Sequence, residues 1–150
     1  MTEANLRKTF VRLMNDVGQH PQSIEVLYKG SVPDQNIVEG WVELKVRKAW
    51  PKRSTTGVRL ADMPRVARQC SWLYTRWQRG GGAWLLLVVG SEWVLLTGEQ
   101  AYRAWALPVL TGGSLKCLVR ANLVARAAGH WYGRPSGVDL VRAMRKSRGQ

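Results

Sequence analysis

The sequence predicts an α/β protein in which helices flank a central mixed β-sheet. Apolar residues recur every three or four positions in residues 2–17 and 64–77, which is typical of helices that bury one face. Runs rich in Val, Ile, Leu and Trp are typical of strands, and they lie at residues 24–28, 36–46, 83–89 and 93–97. The order of helix, strand, strand, helix, strand, strand therefore favours a layered α/β arrangement.

Capping and turn residues support these boundaries. Thr2 is predicted to cap the first helix. Gly40 divides the run 36–46 into a hairpin or a bent strand. Asp62 is predicted to cap the second helix, Pro64 lies in its first turn, and Gly80–Gly82 ends it.

The sequence pattern changes after Gly98, where helical and basic segments replace the strand-like apolar runs. Residues 1–98 are predicted to form a core, and residues 99–150 a helical, basic extension packed on it. Helical patterns occupy residues 100–106, 114–128 and 138–146. From residue 116 onward eight residues are Lys or Arg and only Asp139 is acidic. Two interpretations stay open for this extension: an arm that contacts DNA, or a solvated helical appendage.

The overall charge indicates a polyanionic partner. The chain has 23 Lys and Arg against 10 Asp and Glu, a net charge of +13. Such a surface attracts nucleic acid first and an anionic membrane second. The longest apolar run, residues 83–89, is too short to cross a bilayer, and no signal peptide follows Met1. We therefore expect a cytoplasmic protein, in the host cell if a phage encodes it, with DNA and no membrane as partner.

The cysteines and histidines exclude several other functions. Cys70 and Cys117 are far apart and form no CxxC pattern, which argues against a disulfide scaffold and a zinc ribbon. We expect both to be reduced thiols. His20 and His130 show no metal-ligand spacing, and no Ser-His-Asp or Cys-His arrangement is recognisable.

Residues 31–46, SVPDQNIVEGWVELKV, carry the pattern that indicates chemistry. Glu43 and Lys45 are two apart on a predicted strand, so their side chains share one face. Leu44 points into the core, and Asp34 lies in or beside the hairpin, within reach of that face. Without Asp34, the ExK pattern alone is more often a surface salt bridge.

This set of side chains suits phosphodiester hydrolysis. The anionic phosphate repels hydroxide, so a divalent cation is needed to neutralise it and to activate a water molecule. Mg²⁺ prefers hard oxygen ligands. Asp34 and Glu43 are predicted to bind the metal, with the Leu44 carbonyl as a further oxygen. Lys45 is predicted to hold and help deprotonate the attacking water, or to stabilise charge on the phosphate.

The order of a helix, SVPD, a hairpin, VELKV and a helix that carries Gln69 resembles the PD-(D/E)xK nuclease superfamily. It is most similar to small phage-encoded members akin to VRR-NUC and archaeal Holliday-junction resolvases, over residues 2–97. The resemblance implies a restriction-endonuclease-like core and a Mg²⁺- or Mn²⁺-dependent DNA endonuclease, with branched or junction DNA as candidate substrate. It implies that Gln69 orients the water or a phosphate oxygen, and it suggests a homodimer.

Two positions depart from the family pattern. Ser31 stands where a glycine is common before the Pro-Asp turn. Many relatives also use an acidic residue of the first helix, for which Glu3 is the candidate although it lies near the terminus. The alternative interpretation of Gln69 is that it is an ordinary surface residue of the helix.

Basic residues of the loop that follows the hairpin, and of the second helix, are candidates for contact with the nucleic-acid backbone. Trp50 suits base stacking, although burial of its ring in the core is nearly as plausible. Arg65 and Arg68 could equally be solvated helix-face residues. The full predicted nucleic-acid-binding set is Arg47, Lys48, Trp50, Lys52, Arg53, Arg65 and Arg68.

Two further functions compete with the nuclease. The same fold could serve as a catalytically idle module that binds nucleic acid or a host protein. A weaker alternative is a basic structural or assembly protein, in which Glu43 and Lys45 form a surface salt bridge. An intact set of Asp34, Glu43 and Lys45 favours the enzyme.

Overall fold

The computed structural model describes residues 1–24, 33–113 and 119–150. Ile24 is not part of a strand, and the rest of the strand predicted at 24–28 lies outside the described residues. Cys117 also lies outside them, whereas Cys70 is a free, buried thiol.

The elements follow in the order helix, three strands, helix, two strands, and then a mostly helical segment that adds a sixth strand. The helices are α1 (Glu3–Asp16), α2 (Met63–Gln78), α3 (Gly98–Ala101), α4 (Leu107–Thr111), α5 (Arg120–Arg126) and α6 (Gly137–Ser147), with a π-helical turn at Tyr102–Ala106 between α3 and α4. The strands are β1 (Gln22–Ser23), β2 (Gln35–Ile37), β3 (Gly40–Arg47), β4 (Ala83–Val89), β5 (Glu92–Thr97) and β6 (Gly129–Trp131).

The described strands form one mixed sheet in the order β1-β2-β3-β4-β5-β6. Strands β3 and β4 are parallel, and α2 provides the crossover that a parallel pair requires. The other neighbouring pairs are antiparallel. The predicted α/β class, with a mixed sheet flanked by helices, is confirmed.

Helices cover both faces of this sheet. On one face, here the α1 face, Leu44 packs in the same core cluster as Phe10 and Met14 of α1. On the opposite, α2 face, Leu85 and Leu87 of β4 cluster with Cys70 and Leu73 of α2. Every residue of β4 is buried, which explains its uninterrupted apolar sequence.

The predicted helix and hairpin signals are confirmed. The Thr2 side chain caps α1, Asp62 caps α2, and Pro64 lies in the first turn of α2. The turn at Val38-Glu39 joins β2 to β3, and Gly40 has φ +152° at the first position of β3. A side chain on Gly40 would lie 2.2 Å from the Gly82 carbonyl oxygen, so β3 and β4 start in close contact.

The segment after Gly98 differs from the sequence-based prediction. A single helix over 114–128 is wrong, because Val119 and Ala127 both have extended backbone around the short α5. The Ala128 N–H donates to the Leu95 carbonyl, which draws the chain into the sheet as β6. This strand was not predicted, since its Gly-His-Trp sequence has no apolar alternation.

Helix α6 returns to the start of the chain. A side chain on Gly137 would lie 2.4 Å from the Leu13 carbonyl oxygen, so α6 begins in close contact with α1. Near its end Arg145 forms an ion pair with Glu39 at 2.8 Å, and Arg148 donates to the Glu39 carbonyl. The C-terminal helix is thereby attached to both α1 and the β2–β3 turn.

Among the helices of the described ranges, none combines the length and the apolar composition required to cross a membrane.

We expect Gly40→Ala to lower the free energy of unfolding by about 2 kcal/mol or more, because a β-carbon there meets backbone atoms and the φ is unfavourable. Chemical denaturation monitored by circular dichroism measures this. Gly133→Ala is the control, since a β-carbon at Gly133 meets nothing within 4 Å. Equal stability of the two variants would contradict the close approach of β3 and β4.

Candidate functional site

The structure brings Asp34 and Glu43 together across the β2–β3 hairpin. Gln35 pairs with Val42, so Asp34, one residue before β2, lies opposite Glu43. The Asp34 N–H donates to Glu43 Oε2 at 3.2 Å, and the Leu44 N–H donates to Asp34 Oδ2 at 3.2 Å. Backbone N–H groups therefore hold both carboxylates, and Asp34 lies within reach of Glu43, the position that the sequence analysis expected.

Lys45 completes the cluster on the same face of β3. Its Nζ lies 2.8 Å from Glu43 Oε1, while the side chains of Glu43 and Lys45 are only 1% and 12% exposed. The alternative of a surface salt bridge is therefore wrong. Burying such a pair is costly unless further groups satisfy it, so a cluster at this place requires an explanation beyond stability.

The protonation equilibria of the pair are strongly perturbed. Burial, followed by repulsion from the Asp34 carboxylate, raises the pKa of Glu43 to about 7, although Lys45 acts in the opposite direction. Burial by itself would lower the pKa of Lys45, but attraction by Glu43 outweighs it and raises that pKa above its ordinary value. Lys45 is thus a firmly protonated ammonium beside a carboxyl group that titrates near neutrality.

Leu44 lies between Glu43 and Lys45 on β3, and its side chain points to the opposite face of the sheet. Its side chain is buried in the core cluster of the α1 face. Since the N–H and C=O of a strand residue point to the same side, and its N–H points to Asp34, its carbonyl is directed towards the Asp34 side. That oxygen is therefore on the correct side of β3 to join the two carboxylates.

Gln69 lies on α2 and is only 3% exposed, so the alternative of an ordinary surface residue is wrong. Its Oε1 is buried and has no hydrogen-bond partner among the described residues. The next residue, Cys70, senses the charges of Glu43 and Lys45, and burial raises the pKa of its thiol. Helix α2 therefore packs over the Glu43–Lys45 face and carries a buried amide oxygen without a partner among the described residues.

Two residues of α1 also act on the cluster. Arg7 Nη2 lies 3.5 Å from Asp34 Oδ1, a contact that the sequence analysis missed. No local motif links these residues, and only the packing of α1 on the sheet reveals the contact. The Glu3 carboxylate is one of the charges that raise the pKa of Lys45, so it acts electrostatically on this site.

The basic residues predicted to contact nucleic acid are mostly solvent-exposed. Arg47 is the last residue of β3 and Lys48 follows it, while Lys52 and Arg53 lie in the following loop. Arg65 and Arg68 are also exposed and lie on the outer side of α2.

Trp50 is half-buried and packs against the core of the α2 face. Its indole N–H donates to Glu92 Oε1 at 3.0 Å, and the Arg120 guanidinium lies 5.6 Å from the centre of its ring. Glu92 also binds Arg120 at 2.8 Å and His130 at 2.9 Å. Although burial opposes it, these partners lower the pKa of Glu92. The sequence analysis missed these contacts of Glu92 with Trp50, Arg120 and His130.

The residues of the cluster fit a hard divalent cation. Two carboxylates that accept backbone N–H groups, and whose repulsion contributes to the raised pKa of Glu43, provide hard oxygen ligands. Within the described ranges, no group of three or more His, Cys, Asp and Glu is placed to hold a metal. Mg²⁺ does not require such a group, since it commonly binds one or two carboxylates and water.

Comparison of the sequence with known protein families and with curated proteins finds no match.

We expect Glu43 to titrate near pH 7 in the metal-free protein, and Asp34→Asn to lower this pKa, because the substitution removes a repelling charge. Carboxyl ¹³C NMR measures both values. Between the ordinary pKa of 4.5 and 7 the folded protein binds more protons at Glu43 than the unfolded chain. This group therefore lowers stability as the pH rises through that range. An unchanged pKa in Asp34→Asn would contradict the electrostatic coupling.

Proposed function

We propose that this protein is a metal-dependent endonuclease that hydrolyses DNA phosphodiester bonds. One observation carries the proposal: two carboxylates and an ammonium converge on β3, where burial makes them costly to keep without a ligand. The net charge of +13 provides the attraction for DNA that such an enzyme needs.

The order of α1, the β1–β2–β3 meander, α2 and a parallel β4 supports a restriction-endonuclease-like core as part of this proposal. In such a core the helix, hairpin and crossover helix bring the SVPD and VELKV segments to one place. The segment after Gly98 supplies β6, which pairs with β5, and α6, which holds the β2–β3 turn through the ion pair between Arg145 and Glu39.

In this mechanism Asp34 and Glu43 would hold the divalent cation, with the Leu44 carbonyl as a further oxygen. When bound, the cation would supply Lewis-acid chemistry, which neutralises phosphate charge and lowers the pKa of water. The Leu44 N–H keeps the Asp34 carboxylate oriented through its contact with Oδ2. The Gln69 amide orients water or a phosphate oxygen from the covering helix α2.

Lys45 keeps both roles that the sequence left open. Its Nζ lies 2.8 Å from Glu43 Oε1, which places the ammonium beside the proposed metal ligands. From there it could hold and help deprotonate the attacking water, or stabilise negative charge on the phosphate.

The second candidate is an idle binding module on the same fold. The observation in its favour is the 2.8 Å ion pair, in which Lys45 already neutralises Glu43 without a metal. Branched DNA as preferred substrate and a homodimer are further proposals that follow from the family resemblance alone.

We expect Lys45→Ala and Asp34→Asn to reduce cleavage by about 100- to 10,000-fold while DNA affinity stays within a few-fold, because they remove chemistry and leave the basic surface intact. The assay uses plasmid, a four-way junction and a flap with Mg²⁺, Mn²⁺ or EDTA. Lys8→Ala on exposed α1 is the charge-matched control and should cleave normally. Full activity of Asp34→Asn would refute the nuclease; DNA binding without any cleavage would favour the idle module.

We expect Mn²⁺ or Mg²⁺ at about one hundred times its dissociation constant to stabilise the fold by about 2.7 kcal/mol, and Glu43→Gln to abolish the effect. Thermal unfolding measures this. Since the cation displaces the proton that Glu43 holds up to about pH 7, apparent affinity should fall by about tenfold for each pH unit below 7 and level off above it. Stabilisation that persists in Glu43→Gln would place the metal elsewhere.

A further inference from the structure

A groove of about 640 Å³ runs along the outer side of α2, between that helix and α4. It lies apart from the Glu43–Lys45 cluster, which faces the inner side of α2. The side chains that give the groove its chemistry are Arg68, Trp72, Arg76, Arg79, Val109 and Leu110.

The groove is strongly basic. Arg68, Arg76 and Arg79 line it together, and none of its described lining residues is acidic. Within residues 1–24, 33–113 and 119–150 none of these three guanidinium groups forms an ion pair, whereas Arg7, Arg103 and Arg145 do. These three neighbouring guanidinium groups give the groove a positive potential that attracts a partner with several negative charges.

The groove also offers an aromatic and apolar wall. Trp72 is half-buried and meets Trp41 edge-to-face at 5.2 Å, with the Arg76 guanidinium 5.9 Å from the centre of its ring. Val109 and Leu110 of α4 also line the groove and are 40% and 65% exposed, so they add to its apolar wall. A partner that fits must therefore combine regularly spaced anions with flat apolar groups.

We propose that this groove binds a single-stranded polynucleotide, with its phosphates on the arginines and an unstacked base against Trp72. Single strands present phosphates and free base faces together, whereas a duplex keeps its bases stacked. An acidic peptide would satisfy the arginines but leave the tryptophan and the aliphatic wall without a matching group.

One contact connects the wall of the groove to strand β3. Trp41, whose ring meets that of Trp72, precedes Glu43 by two residues on β3, so the side chains of Trp41 and Glu43 lie on the same face of the strand. A polynucleotide that continues from the groove past Trp41 would lead towards Asp34 and Glu43. This positional consequence rests on the proposed nuclease; the binding itself does not.

The test measures binding of the full chain in EDTA, so that cleavage plays no part. Fluorescence anisotropy compares oligothymidylate of about 20 nucleotides, an abasic strand of equal length and a poly-glutamate peptide. The variants are Arg68→Ala/Arg76→Ala and, as a control with the same charge change, Lys8→Ala/Arg12→Ala on the exposed side of α1. Circular dichroism verifies that each variant folds.

We expect the groove variant to weaken oligothymidylate binding by about tenfold or more and to reduce the salt slope by about 1.4, since each phosphate contact contributes about 0.7. The control should change affinity less than about threefold. Wild type should bind the abasic strand at least about fivefold more weakly than oligothymidylate, and Trp72→Leu should remove this difference.

Three outcomes would overturn the proposal. Equal losses in the two double variants would mean diffuse electrostatic attraction. Equal binding of abasic strand and oligothymidylate by the wild type would exclude base stacking, even if Trp72→Leu fails to fold. Poly-glutamate binding that is as tight as oligothymidylate and equally dependent on Arg68 and Arg76 would assign the groove to an acidic protein partner. Failure of cleavage with normal groove binding would refute only the nuclease.

Discussion

Burial of the Glu43 carboxylate is the constraint on which the site depends. Glu43 lies on a strand between β2 and β4 and beneath α2, so water cannot solvate it fully. Its charge is held by Lys45 and by the Asp34 N–H, while the Asp34 carboxylate opposes it. The balance leaves a carboxyl group whose pKa is raised to about 7. Without that burial the same three residues would form an ordinary surface ion pair.

The sequence revealed the parts of this arrangement that local geometry determines. The two-residue spacing of Glu43 and Lys45 puts them on one face of any strand, and the hairpin interpretation of residues 36–46 carries Asp34 back towards Glu43. The apolar runs of β4 and β5 and the capped helix α2 were recognisable for the same reason. Each of these signals depends on residues that are close in sequence.

Contacts between distant segments were not predictable in this way. Arg7 reaches Asp34 only because α1 packs on the sheet, and the burial of Gln69 depends on the angle at which α2 crosses it. Strand β6 has only three residues, and its pairing with β5 comes from the Ala128–Leu95 hydrogen bond. Glu92 gathers Trp50, Arg120 and His130 from three parts of the chain, and no spacing rule connects them.

The close seating of α6 on α1 has a consequence for how the protein is made. Gly137 approaches the backbone of Leu13, and Arg145 binds Glu39, so the last helix contributes to the surroundings of the first. A ribosome releases the N-terminal half of the chain before residues 137–147 exist. Part of the apolar face of α1 therefore stays uncovered until residues 137–147 have emerged and folded, and the nascent chain is open to chaperones or to premature association during that interval.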